Sequence, residues 1–271
     1  MPTYRLTLEY EGTRYHGWQE QLNARSVQGE LRRALTQAGA EIAELAGSGR
    51  TDAGVHALAQ SAHLRLRREI APGPFRRAVN DALPPDIHLL GVRPAHDGFH
   101  ARHSAVSRVY LYQIACRRTA LAKRFVWWVK RPLDTAKVAS AAGRLEGRHD
   151  FSLFCEQPGR QPSTIVVLER AEVAESGALL LVRFTASHFL WKMVRRVVGA
   201  LVRVGSGYLS VEDFSMLVSG GLPPSIPEGI AAWTAPPSGL FLERVLYAGD
   251  PPAPAMAAAS PVTLEEDGRT T

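Results

Sequence analysis

The stretch Gly47-Ser-Gly-Arg-Thr-Asp-Ala-Gly-Val-His56 sets a single carboxylate, Asp52, among three glycines and beside an arginine. Glycines 47, 49 and 54 lack a Cβ, so the backbone can reach φ > 0 and another segment can approach closely. Arg50 and Asp52 flank one threonine. In an extended loop two such residues project to the same side, where the guanidinium keeps the carboxylate ionised. An ionised, oriented aspartate can act as a nucleophile. The same composition also fits a turn in which Asp52 accepts from local backbone N–H groups. The loop lacks both the Gly-Lys-Ser/Thr phosphate cradle and the three-glycine dinucleotide fingerprint, so no nucleotide cofactor is indicated.

Outward from this loop the periodicity alternates between strand and helix. On its N-terminal side Tyr4, Leu6, Leu8 and Tyr10 alternate with Arg5, Thr7 and Glu9, the pattern of a half-buried strand. A helix capped by Ser26 follows, with Val27, Leu31, Ala34, Leu35 and Ala38 as its stripe and Gly39 as its stop. On its C-terminal side Ala62, Leu64 and Leu66 alternate with His63, Arg65 and Arg67, which predicts a strand with a basic outer face. A helix over 75–83 ends at Pro84-Pro85. A second half opens on the strand Arg108–Ile114. It continues with a helix capped by Asp134 and ended by Gly147, and with a hairpin over 165–173 and 179–185. A strongly amphipathic helix over 190–205, a Ser210-capped helix and a last strand over 239–247 complete it. The elements fall into two halves, 1–104 and 105–248, each with strand, helix and strands in related order but without a residue-level repeat, and a cleft between two such halves is a place for Asp52. Residues 249–271, rich in Pro and Ala, are expected to be a disordered tail.

Composition narrows the function classes. The 271 residues carry a formal charge of +6, with 45% hydrophobic and 21% charged residues, the balance of a globular protein with a preference for polyanions. Cys116 and Cys155 lack metal or disulfide spacing, which fits a reducing cytoplasm. No signal peptide and no membrane-spanning apolar run is present in the sequence given. The nine histidines never form His-x-x-x-His on a helix or a Cys/His pair at ligand spacing, and no serine nucleophile elbow occurs.

Four further stretches carry chemistry. Tyr10–Gln19 is a loop of aromatic and hydrogen-bonding groups that could hold a nucleotide or plug the core edge. In Phe99-His-Ala-Arg-His-Ser104, Arg102 and His103 can donate to phosphate, and Tyr110 on the following strand can stack on a base or serve as an ordinary sheet residue. The helix Leu190–Gly199 places Arg195 at the edge of its apolar stripe, where it must snorkel or meet an anion such as Asp52, while Lys192 and Arg196 read as a solvated basic face. Arg148–Phe154, with Gln157–Arg160, reads as an RNA contact or an anchored surface loop.

Taken together, Gly49–His56, the Tyr10–Gln19 loop, Phe99-His-Ala-Arg102, Arg108-Val-Tyr-Leu-Tyr112 and Lys192-Met-Val-Arg-Arg-Val-Val-Gly199 resemble the tRNA pseudouridine synthase A family over residues 4 to about 247. The closing segment Ala235–Leu242 is similar to that family's last strand. The resemblance implies isomerisation of uridine to pseudouridine at tRNA positions 38 to 40, in the anticodon stem-loop, without a cofactor and with the target base flipped out. It implies Asp52 as nucleophile, Tyr110 stacked on the base and able to help remove the C5 proton, Arg195 paired with the aspartate, and Arg50 holding or flipping the nucleotide. Phe99, His100, Ala101, Arg102, His103 and Arg160 match regions expected to contact tRNA. The segment Pro158–Ile165 is shorter and less basic than the usual pattern. The family fold the resemblance implies is α+β, two related halves sharing a central, mostly antiparallel sheet flanked by helices with the active-site cleft between them, as a homodimer whose subunits share one tRNA. Two other readings of the residues are an RNA-binding protein without covalent chemistry and a hydrolase that stops at N-glycosidic cleavage.

Overall fold

The alternation over the N-terminal residues becomes strand β1 (Thr3–Tyr10), with Tyr4, Leu6, Leu8 and Tyr10 buried. The computed structural model describes residues 1–226 and 229–264. Its chain divides into two compact units, Met1–Val109 with Phe241–Ala253, and Tyr110–Leu240 with the segment from Pro254 onward. In the first, β1 is followed by α1 (Val27–Gln37), β2 (Ile42–Gly47), β3 (His56–Leu66), α2 (Pro72–Ala82) and β4 (Ile87–Ala95); β5 (Ala105–Ala115) carries the chain onward. The second contains β6 (Trp127–Trp128), α3 (Thr135–Gly143), β7 (Gly147–Asp150), β8 (Ile165–Ser176), β9 (Leu179–Ala186), α4 (Met193–Gly205) and α5 (Val211–Val218). The last strand, β10 (Leu240–Tyr247), expected in the second half, clusters with the first unit from Phe241 on. With the short strands β6 and β7 set aside, the order β1, α1, β2, β3, α2 is matched by β5, α3, β8, β9, α4.

In the first unit β1 lies between β4 and β3 and is antiparallel to both, with Leu6 opposite Val92 and Ala62. β2 is antiparallel to β3, and β10 runs parallel to it, with Phe241 opposite His56. The Ser26 side chain accepts from Gly29 N and starts α1, whose Val27, Leu31, Ala34 and Leu35 are fully buried. Val27, Leu31 and Leu35 each contribute about 1.5–3 kcal/mol by leaving water. α2 begins three residues earlier than the 75–83 expected, because Pro72 suits the first helical turn, where its missing N–H is no loss. β2 and β4 are additions to the sequence reading. β4 carries Gly91 and Pro94, which blur the alternation that identifies a strand.

In the second unit β9 lies between β5 and β8, with β7 outermost and antiparallel to β8. Asp134 accepts from Lys137 N at the start of α3, and Ser210 accepts from Asp213 N at the start of α5. α3 ends at Gly143, not Gly147, and Gly147 instead opens β7. Gly205 lets α4 pass close to α3, since a Cβ there would sit 2.6 Å from Val138. The segment expected to be a disordered tail is partly laid down on this unit. Ala178 N donates to Val262 O at 2.8 Å, Ala259 N to Gln113 Oε1 at 2.7 Å, and Val262 is buried. Its remainder, 265–271, lies outside the described residues. No helix among the described residues is long and apolar enough to cross a membrane.

Candidate active site

Asp52 lies in the loop between β2 and β3, half-buried, and the loop is held by the segment Gly12–Trp18 packed against it. Trp18 N donates to Thr51 O at 3.1 Å, and Gly54 N donates to Tyr15 O at 3.2 Å. A Cβ on Gly17 would fall 2.3 Å from Thr51 O, and one on Gly12 would fall 1.9 Å from Val55 O, so this approach requires both glycines. The Tyr10–Gln19 motif thus acts as the clamp of the Asp52 loop, with Trp18 and Tyr15 buried. Beneath it Tyr10 Oη and Thr51 Oγ1 lie 2.8 Å apart, Ser48 Oγ donates to Gln60 Oε1 at 2.8 Å, and Gln60 Nε2 donates to Gly49 O at 3.2 Å. Burial pushes the Tyr10 hydroxyl up to about 12, so it stays protonated. His56 Nδ1 accepts from Gly12 N at 3.0 Å and its ring stacks on Phe241 at 4.9 Å. Both sides of the loop are therefore anchored by buried, satisfied groups.

Arg50 departs from the expectation. Two residues from Asp52, it is exposed and forms no ion pair with it.

The Phe99–Ser104 loop is the second built element of this unit. Phe99 is buried against Tyr247, at 5.1 Å between ring centroids. Fully buried Ala101 is held from both sides: its N–H donates to His63 Nδ1 at 3.2 Å, and its carbonyl accepts from Tyr247 Oη at 2.8 Å. His100 Nδ1 accepts from Arg102 N and His103 N, and Ser104 Oγ accepts from His100 N. Arg102 and His103 are consequently presented to solvent by a loop whose centre is fixed. Arg108 ties this loop to the Asp52 loop, its Nη2 donating to Ser48 O at 3.2 Å and to Arg102 O at 2.7 Å.

His63 also corrects the sequence reading. Expected on a basic outer face, it is completely buried, since the Phe99–Ser104 loop covers that side of β3. With Nδ1 an acceptor, the ring proton sits on Nε2, 3.2 Å from Glu44 Oε1. The ligand atoms of Glu44, His63 and His100 lie within 4.8 Å of one another, a spacing invisible in the sequence. A cation at His63 Nε2 would demand an imidazolate and would meet Arg65, whose guanidinium sits 2.7 Å from Glu44. This donor set therefore suits a proton-bearing clamp better than a metal ion.

In the second unit Tyr110 is half-buried on β5, edge-on to Phe189 at 5.0 Å. Arg195 stands in the first turn of α4, where its Nε donates to Ala235 O at 2.7 Å and its own carbonyl accepts from Ala235 N at 3.0 Å. Arg196, expected on a solvated face, is instead buried and bonds Glu156 and Cys155 O; Lys192 lies 3.3 Å from Glu156. Together they fasten the start of α4 to the 155–156 turn. Arg160 is exposed beyond it.

Loops fixed by satisfied backbone groups, displaying an aspartate, arginines and aromatic rings, are the equipment of an enzyme that works on RNA bases. The comparisons agree, and they are specific. Residues 7–104 and 141–248 match the sequence model of the tRNA pseudouridine synthases, and the chain belongs to that family of isomerases. Among its curated relatives are proteins named tRNA pseudouridine synthase A. Those from Nitrobacter hamburgensis and Rhizobium meliloti are 42% and 39% identical, each alignment covering 91% of this chain and 100% of the relative. That from Nitrobacter winogradskyi is 42% identical over 93% of this chain and 98% of its own. A crystal structure of an unknown protein from Galdieria sulphuraria aligns with a TM-score of 0.23 at 12% identity, over 76% of this chain and 93% of that one.

Proposed function

We propose that this tRNA pseudouridine synthase acts on uridines at positions 38 to 40 of the anticodon stem-loop, with Asp52 as nucleophile and without a cofactor. The observation that carries the reading is the Asp52 loop itself: a half-buried carboxylate on a segment whose neighbours Thr51, Gly49 and Ser48 are each fixed by hydrogen bonds. Pre-fixed geometry of this kind is what covalent catalysis needs.

The carboxylate adds either to C1′ of the ribose, releasing uracil, or to C6 of the ring. In both routes the N1–C1′ bond breaks, the base turns, the C5–C1′ bond forms and the carboxylate leaves. The C5 proton goes to solvent and N1 gains one, so the isomerisation balances without an oxidant or reductant. Tyr110 stacks on the flipped base and assists removal of the C5 proton, and Arg195 supplies the counter-charge to the carboxylate. Arg50 holds the nucleotide, a role its exposure permits. Phe99, His100 and Ala101 shape the loop that offers Arg102 and His103 to phosphate, and Arg160 adds a further contact. Flipping costs a few kcal/mol, which stacking and phosphate contacts offset. The enzyme works in the cytoplasm as a homodimer. Tritium release from [5-³H]uridine-labelled tRNA, with mapping of the modified positions, tests the reading; tight tRNA binding without release would replace it with that of a binding protein.

A further inference from the structure

A groove of about 250 Å³ opens along α4 in the second unit, lined by residues to which the isomerisation assigns no role. Lys130, Arg131, Arg203, Tyr208, Trp127 and Trp233 are among them, and no acidic residue lines it. The Arg131 and Arg203 guanidiniums flank the Tyr208 ring at 4.6 and 5.2 Å, and Arg203 also lies 5.4 Å from the Trp233 ring. Among the described residues none of these three cations forms an ion pair. Tyr208 is 54% exposed, so this is a stack of cation and ring facing water. Its floor is built for close approach: a Cβ on Gly199 would sit 1.6 Å from Trp233 O, which brings the Trp233 segment onto the helix.

Unpaired cations held by aromatic faces have two affinities left: their N–H groups for an anion, and their planes for a base. Phosphate with an adjoining base satisfies both, which is the chemistry of single-stranded RNA recognition. The volume is below the roughly 300–1,000 Å³ of clefts for larger ligands, and suits one nucleotide unit. Residues 195, 199, 202, 203 and 206 fall on one face of α4, so the groove continues along the face that begins with Arg195; the rise between Arg195 and Arg203 is about 12 Å, within a few nucleotides' reach.

We propose that this groove is a second RNA subsite, taking a nucleotide of the same tRNA a short distance from the target uridine. The proposal rests on the function given above. Its phosphate meets Lys130, Arg131 and Arg203, and its base meets Tyr208 or Trp233.

The test compares tRNA binding by wild type, Lys130→Gln/Arg131→Gln, the triple variant that adds Arg203→Gln, Tyr208→Leu and Tyr208→Phe across a range of salt concentrations, with tritium release measured in parallel. Lys130 and Arg131 are exposed, so the double variant does not depend on the fold tolerating a core change. The slope of log affinity against log salt should fall by about 0.7–0.9 for each phosphate no longer engaged, and affinity by about 10-fold or more in the triple variant, with KM affected far more than kcat. Tyr208→Leu should weaken binding by about 5-fold or more with little change of slope, and Tyr208→Phe should restore it. Unchanged slope and affinity in the double and triple variants, while wild type binds tRNA and releases tritium, would overturn the subsite and leave the function standing. Loss of self-association by light scattering with an unchanged slope would assign the groove to a second copy of the chain and equally overturn it. Wild type that neither binds tRNA nor releases tritium would remove the function, and the subsite with it.

Discussion

Asp52 gains its character from what surrounds its backbone, and that separates chemistry from folding. Asp52→Asn keeps the volume and leaves the Tyr10, Gln60 and Trp18 contacts of the loop intact, so the protein should fold and bind tRNA while tritium release drops by at least about 10³-fold. His63 should behave in the opposite way. His63→Leu removes the acceptor of Ala101 N–H and strands a buried donor, at about 1–3 kcal/mol, and the loosened Arg102 loop should raise KM more than it lowers kcat. The neighbouring titratable groups give this loop a pH dependence. Burial first, then His63 and His103, lowers the His100 pKa, so the unfolded chain takes up that proton before the folded one does. Burial opposes the lowering of Glu44, but the hydrogen bond to His63 and the nearby cations outweigh it. Its contribution is therefore present above the ordinary Glu range and lost as pH falls through its folded pKa. Both signs agree: melting temperature should fall as pH drops below about 6.5, and His100→Asn should flatten the upper part of that fall.

Helix α4 concentrates the element-scale constraints, since Arg195, Arg196, Gly199, Arg203 and Gly205 meet different neighbours from a single helix. Gly199→Ala would force a methyl into Trp233 O, which should cost about 2–3 kcal/mol or more. At roughly 2–4 °C per kcal/mol for a chain of this size, melting should come about 4–12 °C earlier; an unchanged melting curve would mean that the Trp233 segment moves away freely. Arg196→Met should lose about 1.5–3 kcal/mol by stranding Cys155 O and leaving Glu156 with Lys192 alone. α1 was legible because one of its faces is apolar and the other is not, and β9 because it is an apolar run opened by a glycine turn; α4 was legible from its apolar stripe although most of its remaining surface is buried as well. β2 and the burial of His63 and Arg196 were not, because they depend on which distant segment covers a polar residue. The Asp52 loop stood out as a motif, but its clamp by Gly12 and Gly17 is a long-range approach that local sequence does not encode.

At the scale of the whole molecule, a charge of +6 and loops that hold Arg102, His103 and the Lys130–Arg131 pair toward solvent make affinity for tRNA an electrostatic property. Binding should weaken steeply with salt, by orders of magnitude between about 50 and 200 mM if six or more phosphates are engaged. Light scattering on the purified protein should give twice the mass of one chain, in keeping with the homodimer proposed. The central claim is that Asp52 drives base isomerisation in the anticodon arm. Its most direct measurement is tritium release from [5-³H]uridine-labelled tRNA by wild type and Asp52→Ala, followed by mapping of the product. Release by wild type alone, with pseudouridine at positions 38 to 40, is the expected result; equal release by Asp52→Ala, or modification confined to another region of the tRNA, would contradict it.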